Sequence, residues 1–536
     1  MNGRAGARRL KEFPSDGNAK VWFRPDSGWL GNPPRLHRPC LFWEFRMSNT
    51  TASGGSSPFA SPHVRVCLTR TGAALTLGAL LSMASAAFAQ EGVGQAAPGA
   101  SPEDVNPNLV VGLEKPVAKP GFNGPLASIF VPLAAQGYTF HALAIDFVQG
   151  NPSAGLVTGR YSNSAYFIVG GDADLGKIAG WQGASLHYEN TFFGIVENLS
   201  IAPQIGDSTV GYQPPFTPPT AWLSIMTFEQ KLFDDHLDFE IGKSHPDRYY
   251  ALPNCNSINS CFQDILYENA GWTSPQRGVW GANLSYKFDV PVYAEAGVFS
   301  GSPGANSQTG YRWFNQEDPQ GVIAMGEIGW KTTFATNPYP GAYSFTGFYN
   351  SQSHVDNNVA TAFGGVAKTR NGTSGVVLQG DQVVWRADGG TEKNPTPTAI
   401  SLYGSAGFAL DSTVPISTSV YGGAKLMSPF AGRPADNFGV KFNWSQLNPN
   451  YNQFLAASNF VAGGSGAPFN RNKYIIEANA HIALPAGMAF EPVFQYVINP
   501  NSFFNPSTAT RPKDGIYVGG TFIVPLGLML GIAAPT

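Results

Sequence analysis

The sequence predicts an all-β fold: a transmembrane antiparallel β-barrel of about 16 strands, with short periplasmic turns and long extracellular loops. Three observations carry this expectation. The chain has 536 residues with 62 Gly and 13% aromatic residues, yet only 13% are charged, about half the usual share of roughly 25%. Short segments alternate apolar and polar side chains with period two, separated by turn residues. Finally, the connections between those segments alternate between short and long, as the two rims of a membrane barrel require.

The beginning of the chain is set aside before the strands are placed. Residues 1–46, rich in Arg and Pro, read as an over-extended translation start upstream of Met47. Arg65 and Arg70 precede the apolar run Ala73–Leu81, and Ala87-Phe88-Ala89 has the small-x-small pattern of a signal-peptidase site. Residues 47–89 are therefore expected to be a signal peptide cleaved before Gln90. The run Ala73–Ala89 is interrupted by Thr, Gly and Ser and falls short of the roughly 20 residues of a spanning helix. A Pro/Gly-rich periplasmic lead follows at 90–136, and the barrel domain is expected over 137–536.

Within that domain, strands are expected near 137–149, 165–175, 182–192, 220–231, 235–243, 278–288, 292–299 and 321–331. Eight more are expected near 341–350, 378–388, 397–409, 415–425, 437–445, 472–484, 488–498 and 515–532. Phe233–His236, Asp289–Pro291, Asn337–Gly341, Gly432–Asp436 and Pro485–Gly487 read as tight connections. Ser244–Arg277, Ser300–Gln320, Ser351–Leu378, Gln446–Arg471 and Asn499–Asp514 read as long ones, with Asp411–Val414 short where a long one is due. A soluble sandwich has no reason to sort loop length by rim. In the strand L-D-F-E-I-G-K (237–243), Leu237, Phe239 and Ile241 share one side, with Asp238 and Glu240 on the other; lipid outside and water inside explain both. The last segment repeats the pattern with Ile516, Val518, Phe522 and Val524, continuing through Leu526, Leu528 and Leu530. Its Pro525 and glycines argue against a helix there.

Composition also narrows function. Residues 1–89 carry 11 of the 33 basic and 4 of the 36 acidic residues, leaving 22 against 32 and a net charge of −10. That balance has no electrostatic footprint for nucleic acid. Of the four Cys, Cys40 and Cys67 leave with the prefix. Cys255 and Cys261 close a short loop in a compartment where disulfides persist, and their spacing lacks a zinc pattern. No cofactor or metal is expected. Enzyme signatures fail as well: H-E-x-x-H is missing, Gly242-Lys243-Ser244 has Leu237 where a phosphate loop needs its first Gly, and Gly463-Gly464-Ser465-Gly466 is followed by Ala467.

Several segments together resemble a known family. E-Q-K-L-F-D-D-H-L-D-F-E-I-G-K (229–243), S-P-Q-R-G-V-W-G-A (274–282) after the Cys255–Cys261 loop, and Y-A-E-A-G-V-F (293–299) are similar to carbohydrate-selective outer-membrane porins of the OprB-like family. So are A-G-R-P-A-D-N-F-G-V (431–440) and Y-I-I-E-A-N-A-H-I-A-L-P-A-G-M-A-F-E-P-V-F-Q-Y-V-I-N-P (474–500). The resemblance runs from about residue 137 to 526 and implies a sixteen-stranded barrel passing sugars by passive diffusion. It departs at the end, where outer-membrane barrels usually finish on an aromatic residue read by the assembly machinery and this chain runs on to Ala534-Pro535-Thr536. Its expected partners are outer-membrane lipid, permeating sugars and that machinery, as a monomer or trimer. The alternatives are a channel for cations or small organic acids, or a non-conducting barrel.

Candidate lumen residues follow from the polar register. They are Asp146, Asp238, Glu240, Lys243, Glu295, Glu327, Lys331, Glu477, Asn479, His481, Glu491 and Gln495, with Arg248 at the head of a long loop able to fold into the mouth. Trp272 and Tyr267 on that loop could stack on sugar rings. Carboxylates, amides and cationic side chains answer hydroxyl groups as acceptors and donors. The competing role for the carboxylates is a wall network of ion pairs. For Trp222, Trp280, Trp330 and Tyr496 it is an aromatic girdle at the membrane interface.

Two outcomes are expected from sequence alone. N-terminal sequencing of the exported protein should begin at Gln90; an intact 47–89 segment would contradict the cleavage. Thiol titration of the native protein should find Cys255 and Cys261 blocked, in a disulfide worth about 2 kcal/mol for so short a loop.

Overall fold

The computed structural model describes residues 124–532 apart from 199, 209, 211–220, 251–277, 302–309, 312–320, 391–393 and 395. Its strands are β1 (Tyr138–Asn151), β2 (Arg160–Asp174), β3 (Ala184–Glu197), β4 (Ala221–Leu232), β5 (Leu237–Ser244), β6 (Val279–Lys287), β7 (Val292–Gly301) and β8 (Gly321–Lys331). They continue as β9 (Gly341–Asp356), β10 (Lys368–Arg386), β11 (Ala399–Ala409), β12 (Ile416–Met427), β13 (Asn437–Leu447), β14 (Asn472–Ala483), β15 (Ala489–Ile498) and β16 (Gly515–Val524). Each pairs antiparallel with its sequence neighbours, and β1 pairs with β16, so the sheet closes on itself. Among the described residues no helix is long and apolar enough to cross a membrane.

Period two sorts the side chains into two registers. In β15, Glu491, Val493, Gln495 and Val497 point inward and are buried, while Phe494 and Tyr496 point outward and are exposed. In β11, Ser401, Tyr403 and Ser405 are inside and Leu402 is outside. The ladder carries this parity across strands: outward Phe442 stands opposite Ile476, and inward Lys441 opposite Glu477. An exposed outer band of Leu284, Val298, Ile328, Phe345, Leu378 and Phe442 results.

All sixteen expected strands are present, with boundary differences that have physical causes. β9 and β10 extend past the expected Ser351–Leu378 connection, leaving only 357–367 between them. There the apolar alternation stops while the ladder goes on, pairing Arg370 with His354 and Lys368 with Asp356. β16 ends at Val524, not near 532: Pro525 offers no N–H to the ladder, and the helix Leu526–Leu530 follows. The link 448–471 holds an unexpected helix, Pro449–Val461. Asn448 caps it by accepting from the Asn450 N–H at 3.1 Å, and Tyr451 and Leu455 pack on Ile416, Leu447 and Phe469.

Connections at one rim are 175–183, 233–236, 288–291, 332–340, 387–398, 428–436 and 484–488. Those at the other are 152–159, 198–220, 245–278, 302–320, 357–367, 410–415, 448–471 and 499–514. These define a turn end and a loop end. In the turn after β10 the Arg386 guanidinium donates to Asp388 at 2.6 and 2.8 Å, which holds the Asp388 carboxyl below the usual carboxylate range.

The two registers make opposite forecasts for adjacent residues. Phe442→Lys should impair assembly, because a cation on the outer face costs roughly 2–4 kcal/mol at a bilayer midplane. Asn443→Ala, one residue along and inside, should assemble normally; heat-modifiable mobility on semi-native gels reads both.

Candidate functional site

The inner wall is a continuous polar surface built by the inward register. On β2–β5, His187 Nδ1 lies 2.7 Å from Asp172 Oδ1 and its Nε2 3.4 Å from Glu229 Oε2, which Lys231 Nζ approaches at 3.2 Å. The next strand contributes Glu240, which accepts from the Thr227 hydroxyl and pairs with Arg248 Nη1 at 3.3 Å. On β6–β9, Ser285 donates to Glu295 at 3.1 Å and Tyr293 to Glu327 at 2.7 Å. The wall is acidic along these strands.

Across the barrel the cations stand on strands. Lys425 donates to Asp381 at 2.6 Å and lies 5.9 Å from the Tyr403 ring centre. Lys441 is 3.6 Å from Glu477 and 5.3 Å from the Tyr421 ring. Glu477 also accepts from Asn479 at 2.6 Å and Gln495 at 2.9 Å, and His481 Nδ1 lies 2.7 Å from Glu491. Pairing and hydrogen bonding offset the cost of burying these charges. Among the described residues no group of three or more His, Cys, Asp or Glu is arranged to hold a metal ion.

Two connections from the loop end turn inward. After β5 the turn Pro246–Arg248 brings Tyr250 onto the inner wall, where it is fully buried against Phe299, Ile323, Met325, Phe348 and Val377. Its hydroxyl donates to Asn283. Gly297 makes the room, since a Cβ there would stand 2.5 Å from that hydroxyl. After β3 the helix Ile201–Ile205 turns in past β1 and packs on Ile475, Val493, Val497 and Tyr517 of β14–β16. Lys473 fixes it by donating to Asp207 at 2.6 Å, while the Asn501 N–H donates to the other Asp207 oxygen at 2.7 Å. Both connections narrow the lumen at the loop end.

The residues expected at the lumen separate into two groups. Asp238, Glu240, Glu295, Glu327, Glu477, Asn479, His481, Glu491 and Gln495 all lie on the inward register, as does half-buried Lys331 at the turn-end limit of β8. Arg248 joins them from its turn. Asp146 does not. It stands on the outward register beside exposed Phe522 and hydrogen-bonded Asn163, while its neighbours Ile145 and Phe147 are the inward pair. One step of register separates the two faces, and an Asp among apolar residues on both sides does not reveal its own parity. Lys243 is likewise off the Glu240 row: its strand partners are Met226 and Trp280, and its buried Nζ donates to the Gly310 carbonyl at 2.6 Å. Trp222 leaves the expected girdle for the inner wall, 4.3 Å from the Phe193 ring, whereas Trp330 and Tyr496 stay outside. Cys255, Cys261, Tyr267 and Trp272 lie outside the described residues.

Sequence reasoning missed Lys425, Lys441 and Asp381, which the same period-two reading of β10, β12 and β13 would have found. It had no signal for Tyr250 or Asp207, because their docking follows no strand period.

A closed sixteen-strand antiparallel barrel, apolar outside, polar within and narrowed by inward connections, is the structure of a porin. The sequence profile of the carbohydrate-selective porin, OprB family, matches residues 159–523, and the chain belongs to that family. Membership and fold place it in the outer membrane as a channel protein. The OprB structure from Pseudomonas putida at high pH superposes with a TM-score of 0.64 at 19% identity, covering 76% of this chain and 99% of that one. The putative porin QuiX of Acinetobacter baylyi is 25% identical over 240 residues, 42% of this chain and 54% of that protein. The chain thus spans about half the length of that curated relative.

Three substitutions separate the two faces. Glu240→Gln should change ion preference in planar bilayers, whereas Asp146→Asn should leave conductance and selectivity unchanged. Tyr250→Ala should free the inward connection, costing on the order of 3–5 kcal/mol of local packing, and raise single-channel conductance.

Proposed function

We propose that the protein is a passive-diffusion channel for mono- and small saccharides. Export of the chain after cleavage near Ala89/Gln90, insertion by the barrel-assembly machinery, and an orientation with the turn end in the periplasm belong to the same reading. The inner wall carries it. Carboxylates, amides, hydroxyls and ammonium groups line the interior in hydrogen-bonded sets, and the inward connections reduce its width.

A sugar is a neutral polyol that must exchange water hydrogen bonds for others as it enters a narrow passage. A wall of alternating donors and acceptors performs that exchange at low cost. In this reading Asp238, Glu240, Glu295, Glu327, Lys331, Glu477, Asn479, His481, Glu491 and Gln495 are groups that permeating hydroxyls meet, with Arg248 at the narrowing. Because most are also paired with one another, no single one dominates binding. Weak contacts at many points suit conduction, since a tight site would hold the solute.

Liposome swelling tests the proposal. Vesicles containing the protein should swell in isotonic monosaccharide, more slowly in larger oligosaccharides, and should discriminate against charged sugar acids of equal size. No swelling with any sugar, in protein shown by its gel shift to be folded, overturns it.

A further inference from the structure

The seam that closes the barrel is incomplete at the turn end. β1 pairs with β16 from Ala144 opposite Val524 to Gly150 opposite Val518. Beyond Val524 comes Pro525, so β1 runs from Tyr138 to Leu143 without a β16 partner on that side. Two short helices stand there instead: Ala127–Ala135, which leads into β1, and Leu526–Leu530, which follows β16.

The two helices are fastened together. The Leu126 N–H donates to the Leu530 carbonyl at 2.9 Å. Gly124 comes so near that a Cβ on it would stand 2.4 Å from the Gly531 nitrogen, and Gly531 itself takes a left-handed φ of 72°. A side chain on either would force the segments apart.

Their residues are apolar apart from Ser128. The leading helix reads A-S-I-F-V-P-L-A-A and has no fully buried residue; Ile129 is 57% and Val131 41% exposed. Its Phe130 meets Phe140 edge to face at 5.2 Å. Phe140 belongs to the outward register, since Thr139 and His141 on either side reach the inward Asp172 and Glu189. The helix therefore lies against the outer wall and does not plug the lumen. Exposed Ile178 and Trp181 continue the same apolar rim.

We propose that these two helices form an apolar collar embedded in the phospholipid leaflet at the turn end, with acyl chains as its partner, covering the edge of β1 that β16 leaves open. The inference rests on the reading that the outer wall faces a bilayer. Lipid is the occupant because the exposed face of the two helices is continuous with that wall and neither helix carries a charged residue, the exposed Lys177–Asp174 pair beside them belonging to the turn after β2. An open strand edge in hydrocarbon is otherwise unsustainable, and short apolar segments beside an interface settle into it.

Spin labels at Ile129→Cys and, as a control on the outer wall, Ile476→Cys decide the matter. Both are made in the full chain with Cys40, Cys67, Cys255 and Cys261 replaced by Ser and reconstituted in phosphatidylethanolamine–phosphatidylglycerol vesicles. The collar requires both labels to be relaxed more by oxygen than by a water-soluble nickel chelate. A label at 129 that favours the chelate, while 476 favours oxygen, overturns the collar alone. If both favour the chelate, the membrane-barrel reading fails and the collar with it. Gly531→Val should lower the temperature of the gel-mobility shift while leaving conductance unchanged; an unaltered shift temperature overturns the seam-covering role.

Discussion

Every feature of this structure depends on one constraint: in hydrocarbon, a backbone N–H or C=O without a partner is too costly to keep. A sheet meets that demand only by closing, and here closure is the pairing of β1 with β16. Closure with antiparallel neighbours needs an even number of strands and returns both ends of the barrel to one rim. That is why the segments before β1 and after β16 meet, through Leu126 and Leu530, across a chain of several hundred residues. Pro525 is compatible with this arrangement only because it stands just past the last ladder bond.

Closure also divides the side chains into two populations that cannot mix. The outer register is selected for lipid and is nearly free of charge, which makes Asp146 an exception. Among the described residues the inner register carries most of the mid-barrel charge, partly as ion pairs and partly, as at Glu295 and Glu327, as carboxylates bonded to hydroxyls. Lys425 with Asp381, Lys441 with Glu477 and Arg248 with Glu240 each place a cation against a carboxylate. Paired charges keep the wall polar without turning it into a strong trap for one ion. Such a surface is consistent with the proposed sugar-channel function.

Width is a separate matter from wall chemistry. The barrel alone sets an upper limit on what can pass; the inward connections lower it. Tyr250 and the helix Ile201–Ile205 use apolar contacts to reach the wall and polar bonds to fix their position, Tyr250 to Asn283 and the Asp207 carboxylate after the helix to Lys473 and the Asn501 N–H. The apolar patches that receive them, Phe299 to Val377 and Ile475 to Tyr517, account for the hydrophobic residues on the inward register at those two places.

The sequence by itself determined the strands, because period two is imposed locally: each side chain meets either lipid or water, and its neighbour meets the other. It also determined the parity of Glu240, Glu327, Glu477 and Glu491, where clear alternation surrounds the charge. Asp146 was illegible, since Ile145 and Phe147 beside it pack inside against Tyr166 and Phe193 and so imitate a lipid-facing pair. The extensions of β9 and β10 left no apolar period to read, because their polar residues pair outside the alternating region. Only the tertiary structure decided which loop residues enter the barrel. Arg248, legible at the head of its loop, pairs with Glu240 of the strand just before it. Tyr250 packs on β7–β10 and Asp207 pairs with Lys473 of β14, and no spacing along the chain encodes such contacts.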